Sequence, residues 1–429
     1  MNTTRRTFLS SVTAATAGSA LFSLNLSSSA SAAEQTVSND DSLVDSAPSL
    51  QIPSATSIGV VWAVKSLAGG WVEVAEKQDF SDARRVYAGT DRVPLNNFDE
   101  RILSVRVTNL APATKYYYRT GTFPVAYPNA YKVTCGEPVV SESRTFTTMG
   151  DKAASGFAVI NDTHANDKNF AVLAKKLADF NAPVTIWNGD LGEQSSPDYA
   201  VEHLLRPAGT DFAAQRPVLF VPGNHDYRGP WTRNLPKVLL CREPSEKTSD
   251  FWSLGRNFAV RQGDIAMIGL DTGEDKPDKH PVFQGLARFE PYRELQAKWL
   301  EAALQQPEIQ SAPYLVAFCH IPLWDSRPDA NPGDLLEGYA SWQRPSGALW
   351  WPLFNKYGVQ ALICAHMHRT RCDDATNNRS WVQMVGGGPN PNEGVSIIEG
   401  KVENGELVIR THDVYNDKVL YERRFGTRK

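Results

Sequence analysis

Five short motifs along the last two-thirds of this 429-residue chain carry the residue types that bind borderline divalent metals. They are Asp162-Thr163-His164, Gly189-Asp190, Gly223-Asn224-His225-Asp226, His320 and His366-Met367-His368. Carboxylates, imidazoles and a neutral amide oxygen are donors that Mn, Fe and Zn accept. The chain has eight histidines and five of them fall in these motifs, so composition alone does not account for the concentration. Singly the motifs say little: Asp-x-His is commonly loop polarity, Gly-Asp is a common turn, and His-x-His at a strand end reads as a solvated turn. Gly-Asn-His-Asp after Val221-Pro222 is rarer, and all five in this order are rarer still. His203, His280 and His412 lack such context and read as ordinary surface or core histidines.

Each candidate ligand stands just past a predicted strand. Asp162 follows an apolar run at 157–160, Asp190 follows 184–187, Asn224 follows 218–221, His320 follows 314–319 and His366 follows 359–364. Helical spacing is read at 170–180, 295–304 and 346–357, and further strands at 265–270, 382–385, 395–398 and 407–410. Strands alternating with helices predict an α/β layered fold over residues 150–429. Open sheets of this kind bind ligands at the carboxyl ends of their strands, so the motifs would meet at one edge if the strands are parallel neighbours.

Ahead of this, residues 48–149 read as a small all-β sandwich. Short strands are predicted at 57–64, 71–75, 85–88, 102–107, 115–120 and 143–147, with residues 124–135 as a long loop. Leu110-Ala111-Pro112-Ala113-Thr114-Lys115-Tyr116 resembles the tyrosine corner of fibronectin type III domains, and Trp62 is a candidate core aromatic. Residues 33–47 read as a linker. Residues 1–32 read as an export signal: Thr4-Arg5-Arg6-Thr7-Phe8-Leu9 resembles the twin-arginine motif, a weakly apolar stretch follows, and Ala30-Ser31-Ala32 offers a cleavage site. No run of about 18 strongly apolar residues occurs, so the segment reads as cleaved rather than as a membrane anchor. The expected location is outside a bacterial cytoplasm, periplasmic or extracellular, with the twin-arginine export machinery as a partner.

A net charge of −4 and the lack of a basic stripe argue against nucleic acid as a partner. The five cysteines form neither a disulfide framework nor a zinc ribbon. Cys319 and Cys364 read as buried thiols, and one bridge among Cys135, Cys241 and Cys372 is left open.

The motif set from Asp162 to His368 resembles that of the calcineurin-like metallophosphoesterases. The resemblance implies two mixed β-sheets sandwiched by helices. The preceding sandwich resembles the arrangement in purple acid phosphatases. The family resemblance further implies two divalent or trivalent metal ions (Mn, Fe or Zn). Asp162, His164, Asp190 and His368 would hold the first, and Asp190, Asn224, His320 and His366 the second. Asp190 would bridge them, having two oxygens to give. A metal-bridging hydroxide would attack a phosphate ester in line. His225 would be catalytic rather than a ligand, stabilising phosphoryl oxygens and protonating the leaving alkoxide. Asp226 would orient a neighbour or cap the turn.

The chain departs from purple acid phosphatases in two places. Glu193 stands where they carry the tyrosine that gives their colour, and His164 is a histidine that they lack, so this protein should not be purple. The usual Gly before His-x-His is Ala365. Gly386-Gly387-Gly388 reads as a tight turn in preference to a phosphate cradle. Arg228, Arg369, Trp324 and Tyr227 lie near ligands in sequence. The implied activity is hydrolysis of phosphate esters, leaning toward monoesters. Alternatives are a phosphodiesterase on the same residues, a nuclease of the same fold, and a cell-surface binding protein with a vestigial metal domain. A vestige should have lost ligands, and none is missing.

Overall fold

The computed structural model describes residues 43–89, 97–240, 254–325 and 342–428. The export segment, most of the linker and Cys241 lie outside these. Residues Thr36–Lys429 form one compact unit. Among the described residues no helix is long and apolar enough to cross a membrane.

Two large sheets face each other. The first has nine strands in the order Lys418–Phe425, Glu406–Asp413, Ser396–Glu403, Phe157–Ile160, Thr185–Asn188, Val218–Val221, Ser49–Gln51, Ile58–Ala63 and Ile102–Val107. The second has six: Phe258–Gln262, Ile265–Leu270, Tyr314–Cys319, Ala361–Cys364, Val382–Val385 and Arg371–Asp373. Both are mixed, with parallel centres and antiparallel flanks. Their parallel strands are apolar on both faces because both faces are covered. Phe157, Val159 and Leu219 of the first sheet share a core with Met267, Phe318 and Ile363 of the second. Phe157 and Phe318 meet edge to face at 5.2 Å. The far side of the six-stranded sheet packs Ile268, Leu315 and Leu362 against Leu300, Leu304, Trp350 and Phe354 from two helices.

Those helices are Phe289–Leu304 and Arg344–Tyr357. The first starts six residues before the predicted 295. Asp278, eleven residues upstream of Phe289, accepts from the amides of Phe289 (2.7 Å) and Glu290 (3.2 Å) and so satisfies the opening turn from a distance. A third helix, Asp167–Leu177, is capped locally by Asn166, whose side chain accepts from the Asn169 amide, and buries Phe170, Leu173 and Leu177.

The N-terminal β-rich region contributes three strands to the nine-stranded sheet. Gln51 pairs in parallel with Val218, and Ile52 N–H donates to Val218 O at 2.9 Å. The strand Ile58–Ala63 is therefore covered twice: Val60 and Trp62 face the sandwich core, while Val61 and Ala63 face the core of the α/β region. Its opposing sheet is built on Lys115–Asn129 and Ala68–Ala75. Residues 124–135, expected as a loop, form instead the end of Lys115–Asn129 and the hairpin return Lys132–Cys135. A register shift between Ala126 and Asn129 accommodates Pro128. The edge strands Phe258–Gln262 and Lys418–Phe425 escape prediction because they are short or dense in charge.

The tyrosine corner is present. Tyr116 is buried, and its hydroxyl accepts from the Ala111 amide at 2.9 Å. Trp62 is fully buried and donates to Thr122 Oγ1 at 2.9 Å. Among the described residues all four cysteines are free thiols, and the Cys319 and Cys364 sulfurs lie 3.7 Å apart. Tyr116→Phe removes the acceptor of the part-buried hydrogen bond from the Ala111 amide and should cost about 0.5–1.5 kcal/mol in urea unfolding, whereas Tyr117→Phe on the opposite face should cost under about 0.5 kcal/mol. Equal losses would show that the corner bond contributes nothing.

Candidate active site

The ligand-bearing strands are parallel neighbours in two groups, one in each sheet. Phe157–Ile160, Thr185–Asn188 and Val218–Val221 deliver Asp162, Asp190 and Asn224 from the nine-stranded sheet. Tyr314–Cys319 and Ala361–Cys364 deliver His320, His366 and His368 from the other. The site therefore lies where the carboxyl edges of two sheets meet, not along one edge. Asn188 stitches the edges together. Its Nδ2 donates to Cys319 O (3.2 Å) and Ile363 O (3.4 Å), while its own carbonyl lies 2.9 Å from His320 Nδ1. A carbonyl only accepts, so His320 carries its proton on Nδ1 and turns Nε2 toward the carboxylates.

The backbone is forced at this junction. Asp162 (φ 46°), His164 (43°), Asp190 (52°), His366 (68°) and His368 (50°) all adopt the left-handed conformation that non-glycine residues avoid. Two glycines make room. A Cβ on Gly189 would lie 2.4 Å from His320 Nδ1, and one on Gly223 2.3 Å from Asp190 Oδ1.

Six of the predicted ligands form two groups of close donor atoms: Asp162, His164, Asp190 and His368, and Asp190, His320 and His366. His164 Nε2 lies 3.1 Å from His368 Nε2 and 3.6 Å from Asp190 Oδ2, and His320 Nε2 lies 3.1 Å from that same oxygen. Asn224 Oδ1 completes the second group 3.0 Å from His366 Nδ1. Asp190 presents one oxygen to both groups, rather than one to each, because Oδ1 is taken by the His225 amide at 2.9 Å. Asp162 is divided in the same way. Oδ2 accepts from Asn161 Nδ2 (2.7 Å) and the His366 amide (3.1 Å), while Oδ1 is buried without a hydrogen-bond partner. His320 Nε2 is also buried, facing Asp190 Oδ2 at 3.1 Å. Stranded donor atoms of this kind are costly unless something else satisfies them. Their types and spacings fit two cations that take nitrogen and oxygen at about 2.0–2.2 Å.

Electrostatics agree with that fit. Burial holds His366 down at about 4 and also lowers His164, so both present neutral, ligand-ready imidazoles. Burial would also lower His320, but the Asp190 charge and hydrogen bond outweigh it and push His320 up to about 10. In Asp190 burial works upward, and the His320 charge overcomes it to hold the carboxyl far below the usual range.

Asp226 is fully buried and organises rather than ligates. Oδ2 accepts from the amides of Asp190 (3.0 Å) and Gly223 (2.8 Å), and Oδ1 from Leu191 (3.1 Å), which locks two ligand loops together. His225 stands at the rim, its ring 4.7 Å from that of His164. Its Nδ1 is 2.7 Å from Glu193 Oε1, and its Nε2 is 3.0 Å from Arg228 Nη1. Arg228 in turn donates to Glu274 Oε1 at 2.7 Å.

The remaining candidates fall elsewhere. Tyr227 turns inward to donate to Asp271, Arg369 is exposed, and Trp324 is stacked with Arg371 and Arg379. His203 contacts Asp167, His280 caps Val282, and His412 packs on Phe180. A Cβ on Gly388 would lie 2.6 Å from that of His368, so the glycine run serves close packing under a ligand. Sequence reasoning passes over Asn161, the partner role of Glu193, and Glu274. The last lies beyond the carboxyl end of Ile265–Leu270, a parallel neighbour of Tyr314–Cys319, so the strand-end rule points there.

The model of the calcineurin-like phosphoesterase family matches residues 156–370, which is 215 of the 429 residues. A probable purple acid phosphatase of Arabidopsis thaliana is 26% identical over 248 residues, covering 54% of this chain and 48% of that protein. The chain thus spans about half the length of that curated relative. The solved purple acid phosphatase from yellow lupin (Lupinus luteus) seeds superposes with a TM-score of 0.61 at 14% identity, covering 88% of this chain and 74% of that one. That likeness extends over both the β-rich N-terminal region and the two-sheet region. With the ordered motifs gathered at one junction and the family model spanning that junction, this chain belongs to the calcineurin-like phosphoesterase family.

Proposed function

We propose that this protein is an exported, metal-dependent hydrolase of phosphate esters that acts on phosphomonoesters. The observation that carries the reading is the pair of donor groups sharing Asp190 Oδ2, with His225 at their rim. Bound ions would supply Lewis acidity to the phosphoryl oxygens and lower the pKa of attacking water toward 7. Asp162, His164, Asp190 and His368 would hold one ion, and Asp190, Asn224, His320 and His366 the other.

The chain's own residues supply the rest. Glu193 accepts from His225 Nδ1, fixing the ring so that Nε2 faces away from it. As the site stands Nε2 accepts from Arg228 Nη1; with that guanidinium turned to a phosphoryl oxygen, a proton carried on Nε2 would pass to the leaving oxygen. Burial tends to raise Glu193, but its hydrogen bond to His225 keeps it below the usual range, so it stays an anionic acceptor at neutral pH. Asp226 keeps the Asp190 and Asn224 loops in mutual register. The lean to monoesters is supported by the likeness to purple acid phosphatases. The export reading is supported by Arg5-Arg6 and the stretch after them.

Three outcomes test this. Purified protein should bind two metals and hydrolyse a chromogenic phosphomonoester faster than the matching diester, and Asp190→Asn should lose more than about 100-fold in turnover. Metal without turnover on either ester would remove the phosphoesterase reading in favour of a binding protein, and diester preference would make it a phosphodiesterase. Asp226→Asn should weaken metal affinity about 10–100-fold in a titration of the apoprotein, because an amide side chain turns N–H toward N–H at one of its contacts. Unchanged affinity would show the carboxylate to be incidental. Exchanging Arg5 and Arg6 together for Lys should leave the unprocessed chain in the cytoplasm of an expressing bacterium, and continued export would remove the twin-arginine assignment.

A further inference from the structure

Arg228 is held more firmly than a rim residue needs to be. Its backbone amide donates to His225 O (3.0 Å) and its carbonyl accepts from the Gln194 amide (2.8 Å). Its Nη2 donates to Glu274 Oε1 at 2.7 Å and lies 3.6 Å from Asp275 Oδ1. The Glu274 side chain is only 1% exposed, whereas that of Arg228 is 30% exposed. One edge of the guanidinium is thus anchored to a buried carboxylate, and Nη1 reaches the site rim, 3.0 Å from His225 Nε2.

We propose that Arg228 is a substrate-binding residue that makes the site select phosphomonoesters over diesters by holding a third non-bridging phosphoryl oxygen. This rests on the phosphoesterase reading above. His225 N–H donates to Asp190 Oδ1 at 2.9 Å, which places the His225–Arg228 turn directly beside the two donor groups. Cations held by those groups would take up phosphoryl oxygens and leave one facing the His225–Arg228 turn. In a monoester the next oxygen is bare and anionic, and it accepts strongly from a guanidinium. In a diester that oxygen carries a carbon substituent, so it is a poor acceptor and brings bulk toward the same point. Arg228 Nη1 donates to His225 Nε2 at 3.0 Å, which marks where a phosphoryl oxygen would take over as the acceptor of that N–H. Glu274 fixes the guanidinium through its Nη2, which leaves Nη1 at the rim. The competing role for Arg228 is to neutralise Glu274, and that role would not distinguish one ester from another.

The test compares the metal-loaded enzyme with Arg228→Ala and Arg228→Lys. It reads kcat/KM on p-nitrophenyl phosphate and bis(p-nitrophenyl) phosphate, and the Kd of inorganic phosphate by calorimetry. Loss of one hydrogen bond to a charged group predicts that Arg228→Ala loses about 10–100-fold on the monoester, with a similar rise in the phosphate Kd. The diester should change less than about 3-fold. Arg228→Lys keeps the charge and a partner for Glu274 but lacks the fork, and should fall between the two. It also preserves the test should the alanine variant fold poorly. Equal losses on both esters, or an unchanged phosphate Kd, would overturn the role of Arg228 while leaving a phosphoesterase in place. Wild-type protein that turns over neither ester, or that prefers the diester, overturns this inference at its base.

Discussion

Asp190 Oδ2 lies 3.6 Å from His164 Nε2 and 3.1 Å from His320 Nε2, in a pocket where the Asp190 residue is 1% exposed. Those two imidazoles come from different sheets. For one oxygen to face both, the carboxyl edges of the sheets must meet to within a hydrogen bond, and Asn188 is the residue that measures the gap. A buried carboxylate cannot be left to find its own position, because in low dielectric each misplaced or unpaired polar atom costs kilocalories. Asp226 therefore pins the loop carrying Asp190, and the His225 amide takes the oxygen that faces away. Asp162, held by Asn161 and the His366 amide, repeats the arrangement: one oxygen secured by the protein and one left facing the cluster.

Such a junction is unfavourable in isolation. Left-handed backbone at Asp162, His164, Asp190, His366 and His368 costs about 1–3 kcal/mol per residue, and the burial of several carboxylates adds to it. The surrounding structure absorbs this through the continuous core between the sheets and the helix layer behind the six-stranded sheet, both closed by large apolar residues such as Phe157, Phe318 and Trp350. Strain concentrated at a donor cluster is what a preorganised site requires, since ligands that relaxed to comfortable dihedrals would no longer converge.

The N-terminal strands are part of the same construction. Because Ile58–Ala63 is buried on both faces and Gln51 pairs with Val218, the sandwich extends the sheet that carries Asp162, Asp190 and Asn224. Displacing it would expose Val61 and Ala63 and open the edge of Val218–Val221, the strand that leads to Asn224. The tyrosine corner and the buried Trp62 thus bear on the geometry of a site that they do not touch.

Much of this is legible in the order of the residues. Donor identity is a matter of side-chain chemistry, so the motifs name the ligands. Parallel strands covered on both faces are written as apolar runs, so most strands that position ligands can be placed within a residue or two. The N-terminal sandwich shows in period-2 runs and in Leu110 to Tyr116. What escapes is non-local. The start of Phe289–Leu304 depends on a cap from Asp278, and the hairpin beyond Pro124 depends on a partner strand that tolerates a bulge. Glu193 is visible only as a departure from a tyrosine, and its partner His225 lies 32 residues away. Sequence by itself determined which atoms are available to bind metal and phosphate, because that follows from residue type and order along the chain. Only the tertiary structure decided that two sheets would share the ligands, which oxygen of each carboxylate would face inward, and that Arg228 would be fixed beside His225. Those outcomes depend on distances between strands that no local pattern encodes.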